Sequence, residues 1–243
     1  MKVNIVGSGS ISSSFMSASS IIDDHILVDV PMGIIKCLKY LRYDIFKIDT
    51  IITTHLHGDH FFGLPFLMLG KYFNHDKTKI KVICPYGTTK TIQKLFRLGF
   101  PHDFRKVMNS INIEFIEHKG RNSIVLDNNI HIQSINVKHG TMKPCFGYII
   151  NINDKSIGFS GDSSYCNAID KIIEASDISI LDMSLNGEGN KAHMVFLDIK
   201  EICKKYPYKK IVSTHIRNST REVALNNSTN NLIITTENFE IKL

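Results

Sequence analysis

Residues 54–60 are Thr-His-Leu-His-Gly-Asp-His, and they directly follow the strand-like apolar segment 48–53. Four potential metal ligands, His55, His57, Asp59 and His60, therefore lie within six positions. Imidazole and carboxylate groups suit zinc or manganese. Four such groups on one turn are too many for a single catalytic ion, which must keep an open position. The heptad therefore predicts two metal ions, each taking two groups from this turn and further ligands from elsewhere.

Three more ligand residues follow predicted strands. His139 comes after the alternating run 130–137, Asp162 follows the segment 156–161, and His215 follows 210–214. Loops at strand ends present functional groups from a rigid scaffold. A single histidine in such a place is more often structural or solvated, but three recurrences together favour a dinuclear metal centre.

The motif series resembles the metallo-β-lactamase-fold hydrolases: His-x-His-x-Asp-His, a distant His, Gly-Asp-Ser, and Thr-His. Two longer strings, residues 54–65 and 139–148, resemble the ribonuclease Z branch of that superfamily. The resemblance covers nearly the whole chain. It implies an α/β fold, a four-layer αββα sandwich of mixed sheets with helices on both outer faces. Since no segment looks like a linker, we expect a single hydrolase domain over residues 1–243.

The resemblance also implies how the ligands divide. One metal would be held by His55, His57 and His139, the other by Asp59, His60 and His215, with Asp162 bridging the two. Two cations about 3.5–4 Å apart lower the pKa of a shared water and clamp the oxygens of an in-line displacement. This predicts phosphoester hydrolysis by a bridging hydroxide, which Asp59 could also orient. We expect zinc, with manganese as the alternative.

A phosphodiester leaving group needs a proton, and His193 is the candidate donor. It lies 22 residues before His215, a spacing that resembles that of the catalytic histidine of the family. A helix-capping or solvated histidine is the alternative interpretation. Family members orient this histidine with a glutamate on the preceding strand, where this chain has Asp182. The shorter carboxylate leaves the pairing of Asp182 with His193 open.

The connection between His139 and Asp162 bears on substrate size. It spans 23 positions, enough for a strand, a turn and a strand, whereas tRNA-processing members of the branch usually carry a long arm there. The short spacing resembles the arm-less cyclic-phosphate phosphodiesterases, including phage anti-Pycsar enzymes that cleave cyclic mononucleotides used as antiviral signals. We therefore predict hydrolysis of cyclic mononucleotides to linear monophosphates. The alternative is a tRNA 3′-end endonuclease without the arm; hydrolases of lactones, thioesters or sulfate esters are a further possibility.

Composition and net charge indicate which kind of substrate and which cell compartment to expect. The net charge is +6, and bound cations would add to it, which favours a small anionic phosphodiester substrate over a large nucleic acid. Two basic, aromatic segments, 71–81 and 97–106, either stack bases or are solvated. No apolar stretch is long enough to span a membrane. Five widely spaced cysteines and the lack of a signal-peptide pattern predict a cytoplasmic protein, in the host cytoplasm if a phage encodes it.

Periodicity and turn residues predict the secondary structure. Strands are expected near 2–7, 19–23, 25–29, 48–53, 80–84, 111–116, 130–137, 145–152, 155–160, 178–182, 209–214, 231–235 and 238–242. Helices are expected near 33–42, 61–73, 87–98, 165–175 and 195–205, and hairpin turns at Asp23-Asp24 and Asn153-Asp154. The Ser-rich stretch 7–20 is either a surface loop or a rim that touches substrate. Its apolar residues and the family resemblance suggest a homodimer with active sites completed near the interface.

Overall fold

Strand-like apolar runs alternate with helical segments along the chain, and they form two β-sheets with helices on the outer faces. A computed structural model of the chain describes residues 1–127, 129–187, 189–227 and 229–243. The described strands are β1 (Lys2–Gly7), β2 (Ser19–Ile22), β3 (Ile26–Val28), β4 (Thr50–Ile52), β5 (Ile80–Pro85), β6 (Ile113–His118), β7 (Asn122–Asp127), β8 (Ile130–Asn136), β9 (Phe146–Ile152), β10 (Lys155–Phe159), β11 (Ile178–Asp182), β12 (Lys210–Thr214), β13 (Leu232–Ile234) and β14 (Phe239–Lys242). The described α-helices are α1 (Ile34–Tyr40), α2 (Gly58–Phe61), α3 (Leu64–Phe73), α4 (Thr88–Gly99), α5 (Phe104–Ser110), α6 (Asn167–Glu174), α7 (Phe196–Lys205) and α8 (Asn218–Asn226).

Each sheet is mixed and has seven strands. The first runs β14-β1-β2-β3-β4-β5-β6 and the second β13-β12-β11-β10-β9-β8-β7. Strands β3 to β6 are parallel, and so are β10 to β13, while the remaining pairs are antiparallel. In such sheets ligands bind beyond the carboxyl ends of the parallel strands. The register places Asp182 of β11 beside Thr214 of β12, so His215 begins the adjacent loop.

The apolar residues of the inner strands are buried on both faces. Ile22 and Ile26 pack between the sheets, whereas Ile21 and Leu27 face the helices α1, α3, α4 and α5. On the far side, α6, α7 and α8 pack against the second sheet. Burial on both faces explains why these strands are almost continuously apolar. The predicted four-layer αββα sandwich is confirmed.

Most predicted elements are present, with corrections. The hairpins at Asp23-Asp24 and Asn153-Asp154 join β2 to β3 and β9 to β10, and Asp23, Asp24 and Asn153 have positive φ. The predicted helix 61–73 is divided into α2 and α3, and the predicted strand 111–116 is β6, which begins and ends later. Strand β7 and helices α5 and α8 were not predicted. No helix in the described part of the chain is long and apolar enough to cross a bilayer.

Candidate metal centre and active site

The histidine-rich heptad leaves the carboxyl end of β4 as an extended segment and then turns into a short helix. His57 has an extended backbone and precedes α2, which carries Asp59 and His60. The prediction of one tight turn is therefore corrected to an extended step followed by one helical turn. Gly161 has a φ of +57°, and a Cβ there would lie 2.9 Å from the carbonyl oxygen of Phe146. Glycine at this position therefore lets Asp162 approach the heptad closely.

The first group of ligand atoms comes from His55, His57, His139 and Asp162, whose ligand atoms all lie within 4.8 Å of one another. His57 Nδ1 and His139 Nε2 are 2.9 Å apart. Asp162 Oδ2 lies 3.7 Å from His55 Nε2 and 3.8 Å from His139 Nε2. Three imidazoles and one carboxylate thus converge on one point.

The second group comes from Asp59, His60 and His215, again within 4.8 Å. His215 Nε2 is 3.5 Å and His60 Nε2 is 3.8 Å from Asp59 Oδ2. Asp162 Oδ2 also lies 3.3 Å from His60 Nε2 and 3.4 Å from His215 Nε2. The same carboxylate oxygen therefore borders both groups, the position expected of a bridging ligand.

The converging nitrogens fit a divalent cation. The Nε2 atoms of His55, His60 and His215 are buried and have no hydrogen-bond partner among the described residues. A buried unpaired polar atom costs about 1–3 kcal/mol. Imidazole nitrogens together with carboxylate oxygens are the donor set of zinc-type ions. The structure thus brings all seven predicted ligands together, while their individual roles stay a prediction.

The second ring nitrogens of two ligand histidines, His60 and His139, are held by groups outside the site. His60 Nδ1 lies 2.8 Å from Asp29 Oδ2, and Asp29 also accepts from the backbone N–H of Thr54 at 2.8 Å. His139 Nδ1 donates to the carbonyl oxygen of Ala192 at 2.7 Å. Such partners fix the ring orientation of metal-binding histidines. Sequence reasoning missed Asp29, although an acidic residue directly after the apolar strand β3 was a usable signal.

Burial and neighbouring charges shift the pKa values of the site's side chains. Burial raises the pKa of Asp162, but the charges of His215 and His60 outweigh it and hold that pKa well below its usual range. Burial lowers the pKa of His215, yet Asp162 and the other nearby carboxylates raise it to about 10. Burial, together with the charge of His60, keeps the pKa of His55 well below its usual value. The ionised carboxylates therefore provide negative charge for a cation, which must compete with protons on the imidazoles.

His193 lies beside both groups and pairs with Asp182. Its Nδ1 is 2.7 Å from Asp182 Oδ2, and that oxygen also accepts from the backbone N–H of Ser163 at 3.1 Å. Asp182 is fully buried, and the His193 ring stacks on His215 with 5.1 Å between centroids. The shorter carboxylate thus reaches the histidine, which was the open point in the sequence. The remaining ring nitrogen, Nε2, has no hydrogen-bond partner among the described residues and can contact a substrate.

An open cavity of about 530 Å³ is lined by part of this site: His57, Asp59, His139, Asp162, His193 and His215. Its walls also include side chains and backbone that are not potential metal ligands: Ser10, Ile11, Gly58, Gly140, Thr141, Met142, Ser184, Ala192 and Arg217. Residues Ser10 and Ile11 belong to the Ser-rich stretch, so that stretch contributes to the rim of the cavity. The volume is of the size that small-molecule sites have.

The comparisons with known proteins agree with this geometry. A family model described as Anti-Pycsar protein Apyc1 matches residues 1–239. The chain belongs to this family. Ribonuclease Z of Bacillus thuringiensis (strain Al Hakam) is 32% identical over 104 residues, which are 43% of this chain and 31% of that protein. Ribonuclease Z of Bacillus anthracis (strain A0248) matches to the same extent. The match thus spans less than a third of the length of these relatives.

Solved structures show the same fold across almost the whole chain. Human tRNase Z, short form (ELAC1), has a TM-score of 0.79 at 18% identity and covers 100% of this chain and 99% of that one. The metallo-β-lactamase fold protein YhfI from Bacillus subtilis has a TM-score of 0.78 at 17% identity, covering 99% of both chains. The predicted metallo-β-lactamase fold and ribonuclease Z-like branch are confirmed. The family match and these likenesses support the predicted class, a metal-dependent phosphodiesterase.

Proposed function

We propose that this Apyc1-family chain hydrolyses cyclic mononucleotides to linear monophosphates with two divalent ions, zinc in the first place. The proposal rests mainly on the position of Asp162, whose Oδ2 borders two groups of imidazole nitrogens in one cavity. Two adjacent cation sites suit the phosphoryl oxygens of an in-line displacement. The family description and the resemblance to anti-Pycsar enzymes support cyclic nucleotides that act as antiviral signals.

In this proposal the residues have the following roles. One ion would be held by His55, His57 and His139, the other by Asp59, His60 and His215, with Asp162 shared. When bound, the ions supply positive charge that polarises a phosphoryl oxygen and acidifies a water. Asp59, at the cavity wall, orients the attacking water. His193 donates the proton from Nε2 to the leaving oxygen, while Asp182 holds Nδ1.

Substrate size follows from the connection between His139 and Asp162. All of its residues are described, and its two strands, β9 and β10, are joined by the turn at Asn153-Asp154. It therefore has no arm that could contact the body of a tRNA. A cavity of about 530 Å³ can surround one phosphodiester, one ribose and one base. With a single phosphate charge, affinity should depend only weakly on salt, unlike a contact with many RNA phosphates.

A substrate panel tests this proposal. Metal-loaded protein is incubated with 2′,3′- and 3′,5′-cyclic mononucleotides, an aryl phosphodiester and a precursor tRNA, at several salt concentrations. We expect turnover of cyclic mononucleotides with a shallow salt dependence of KM. If only the aryl ester is turned over, the protein is a phosphodiesterase whose natural substrate is not a cyclic mononucleotide.

The second candidate is a tRNA 3′-end endonuclease, and it is favoured by the 32% identity to ribonuclease Z over 104 residues. That match includes only part of each protein, so the relatives' activity does not transfer with it. Cleavage of the precursor tRNA at one position, with a steep salt dependence, would support this candidate.

The metal content is a separate test. We expect close to two divalent ions per chain by elemental analysis. His57→Ala and Asp162→Ala should each lower that number and abolish hydrolysis, since each removes a converging ligand atom. One ion per chain in the fully active protein would contradict the dinuclear proposal.

We also propose a cytoplasmic homodimer. Ile11 lines the cavity rim and is 77% exposed, and Phe62, which is 41% exposed, lies against Gly58 of the same rim. A second copy of the chain would cover these apolar groups and complete the site. The five described cysteines are free thiols, which suits a reducing compartment. Light scattering should give a dimer mass, and a fully active monomer would reject this assembly.

A further inference from the structure

Besides Thr141, three polar residues of the cavity wall have no part in the metal groups or in the His193 pair. Ser10 follows β1, Ser184 follows β11 and Arg217 follows β12, and all three line the cavity. We call these three residues the polar wall. They come from loops far apart in the sequence, so no sequence motif connects them.

Two hydroxyls of the polar wall are buried and unpaired. Ser10 is 3% exposed and Ser184 is 1% exposed, and neither Oγ has a hydrogen-bond partner among the described residues. Alanine would fit either position without an unpaired polar atom, and burying one without a partner is costly. Buried hydroxyls at the surface of a cavity are suited to pair with a ligand, since a hydroxyl both donates and accepts.

The polar wall is built on a braced framework. The backbone N–H of Ile216 donates to the carbonyl oxygen of Ser8 at 2.8 Å, which ties the Ser-rich stretch to the loop after β12. Thr220 Oγ1 donates to the carbonyl oxygen of Ser184 at 2.8 Å, which ties α8 to the loop after β11. Asn218 accepts from the hydroxyls of Ser13 and Ser14. The three loops are therefore held in fixed relative positions before any ligand arrives.

Arg217 adds a positive charge to this wall. It precedes α8, is exposed, and its side chain forms no hydrogen bond or ion pair with another described residue. A guanidinium offers only donors, in a planar fork. Oxygen and ring-nitrogen acceptors on a nucleobase edge match such a fork.

We propose that Ser10, Ser184 and Arg217 form the subsite that binds the nucleoside part of the substrate. The phosphate belongs at the two ligand groups, so the polar wall faces the ribose and the base. Ser10 and Ser184 pair with ribose hydroxyl and base atoms, and Arg217 donates to acceptors on the base edge. This inference rests on the proposed function, because it requires a nucleotide substrate.

The test compares two substrates that differ in the nucleoside. One is the cyclic mononucleotide that the wild-type protein turns over fastest, and the other is bis(4-nitrophenyl) phosphate, which has no ribose or base. Arg217→Ala should raise KM for the nucleotide about 10-fold, the loss typical of one charge-assisted hydrogen bond, and leave kcat nearly unchanged. KM for the aryl ester should not change. Arg105→Ala, on the exposed side of α5, is the matched control.

The serines have a second readout that does not depend on activity. Ser10→Ala and Ser184→Ala should each raise KM for the nucleotide about 3-fold and also raise the midpoint of thermal unfolding, because an unpaired buried hydroxyl is removed. Ser179 on β11 is equally buried and unpaired but does not line the cavity. Ser179→Ala should therefore raise the unfolding midpoint without changing KM.

The outcomes separate this inference from the proposed function. If the wild-type protein cleaves the aryl ester but no cyclic nucleotide, both are overturned. If it cleaves cyclic nucleotides and the Arg217 and serine variants keep the wild-type KM, only the subsite is overturned. An equal rise in KM for both substrates would show that Arg217 binds the phosphate, which also rejects the nucleoside subsite.

Discussion

The pairing of Asp182 with His193 gives a graded prediction for catalysis. Asp182→Asn keeps the size of the side chain but removes the negative charge that lies 2.7 Å from His193 Nδ1. The carboxylate is fully buried, so solvent does not screen this contact. A hydrogen bond to a charged group contributes about 1.5–3 kcal/mol, which corresponds to about 10- to 150-fold in rate. Removing the general acid itself, in His193→Ala, should cost about 10²–10⁴-fold in kcat.

The assay is steady-state hydrolysis of a cyclic mononucleotide and of an aryl phosphodiester with a nitrophenolate leaving group. Both variants should lose less activity on the aryl ester, because its leaving group needs little protonation. If Asp182 acts through His193 and not through His215, whose Nδ1 lies 3.7 Å from Asp182 Oδ1, the double variant should be no slower than His193→Ala. Asp198→Asn, which alters a carboxylate bonded to the backbone N–H of Val195, is the matched control and should retain activity. Equal losses on both substrates, or additive losses in the double variant, would refute the assignment of His193 as the acid.

Two further predictions concern residues outside the predicted set. Asp29→Asn should weaken metal binding about 10- to 100-fold in a chelator competition, because Asp29 orients His60; unchanged affinity would show that Thr54 alone positions the heptad. Burial raises the pKa of Asp170, but hydrogen bonds that it accepts from Lys205 and two tyrosines outweigh burial and lower that pKa. Its stabilisation is therefore present above the unfolded-state pKa of about 3.9 and is lost as pH falls through the lower folded pKa. Asp170→Asn should cost at most about 1 kcal/mol at neutral pH, after allowance for solvent screening, and nothing in strong acid; a constant difference in denaturant unfolding at all pH values would contradict this.

Much of the fold could be predicted from the sequence, because the inner strands are apolar on both faces. Residues such as Ile21 and Ile22 are buried in different layers, and the resulting apolar runs stand out between turn residues. Helix α8 was missed because its buried face includes Thr220 and Arg221, so it has no apolar periodicity. Strand β7 lies at the edge of its sheet, and its apolar run is only three residues long, Ile124-Val125-Leu126.

In the candidate site too, some residues could be predicted from the sequence and others could not. The seven predicted ligands were recognisable because ligand residues recur after strands, and the structure brings them together. Asp29 was missed although it directly follows the apolar strand β3, because only its contact with the distant His60 shows its role. The polar wall had no sequence signal, because its residues meet only in the folded chain. Ser10 and Ser184 are ordinary serines in the sequence, and only their burial without a partner distinguishes them.

The most direct measurement of the central claim is a competition assay. Metal-loaded protein receives a 3′,5′-cyclic mononucleotide and a precursor tRNA in one mixture, and the products of both are quantified by chromatography and gel. We expect conversion of the cyclic nucleotide to a linear monophosphate, with the tRNA left intact, because the connection from His139 to Asp162 has no arm. Efficient cleavage of the tRNA at one position, with the cyclic nucleotide unchanged, would contradict it.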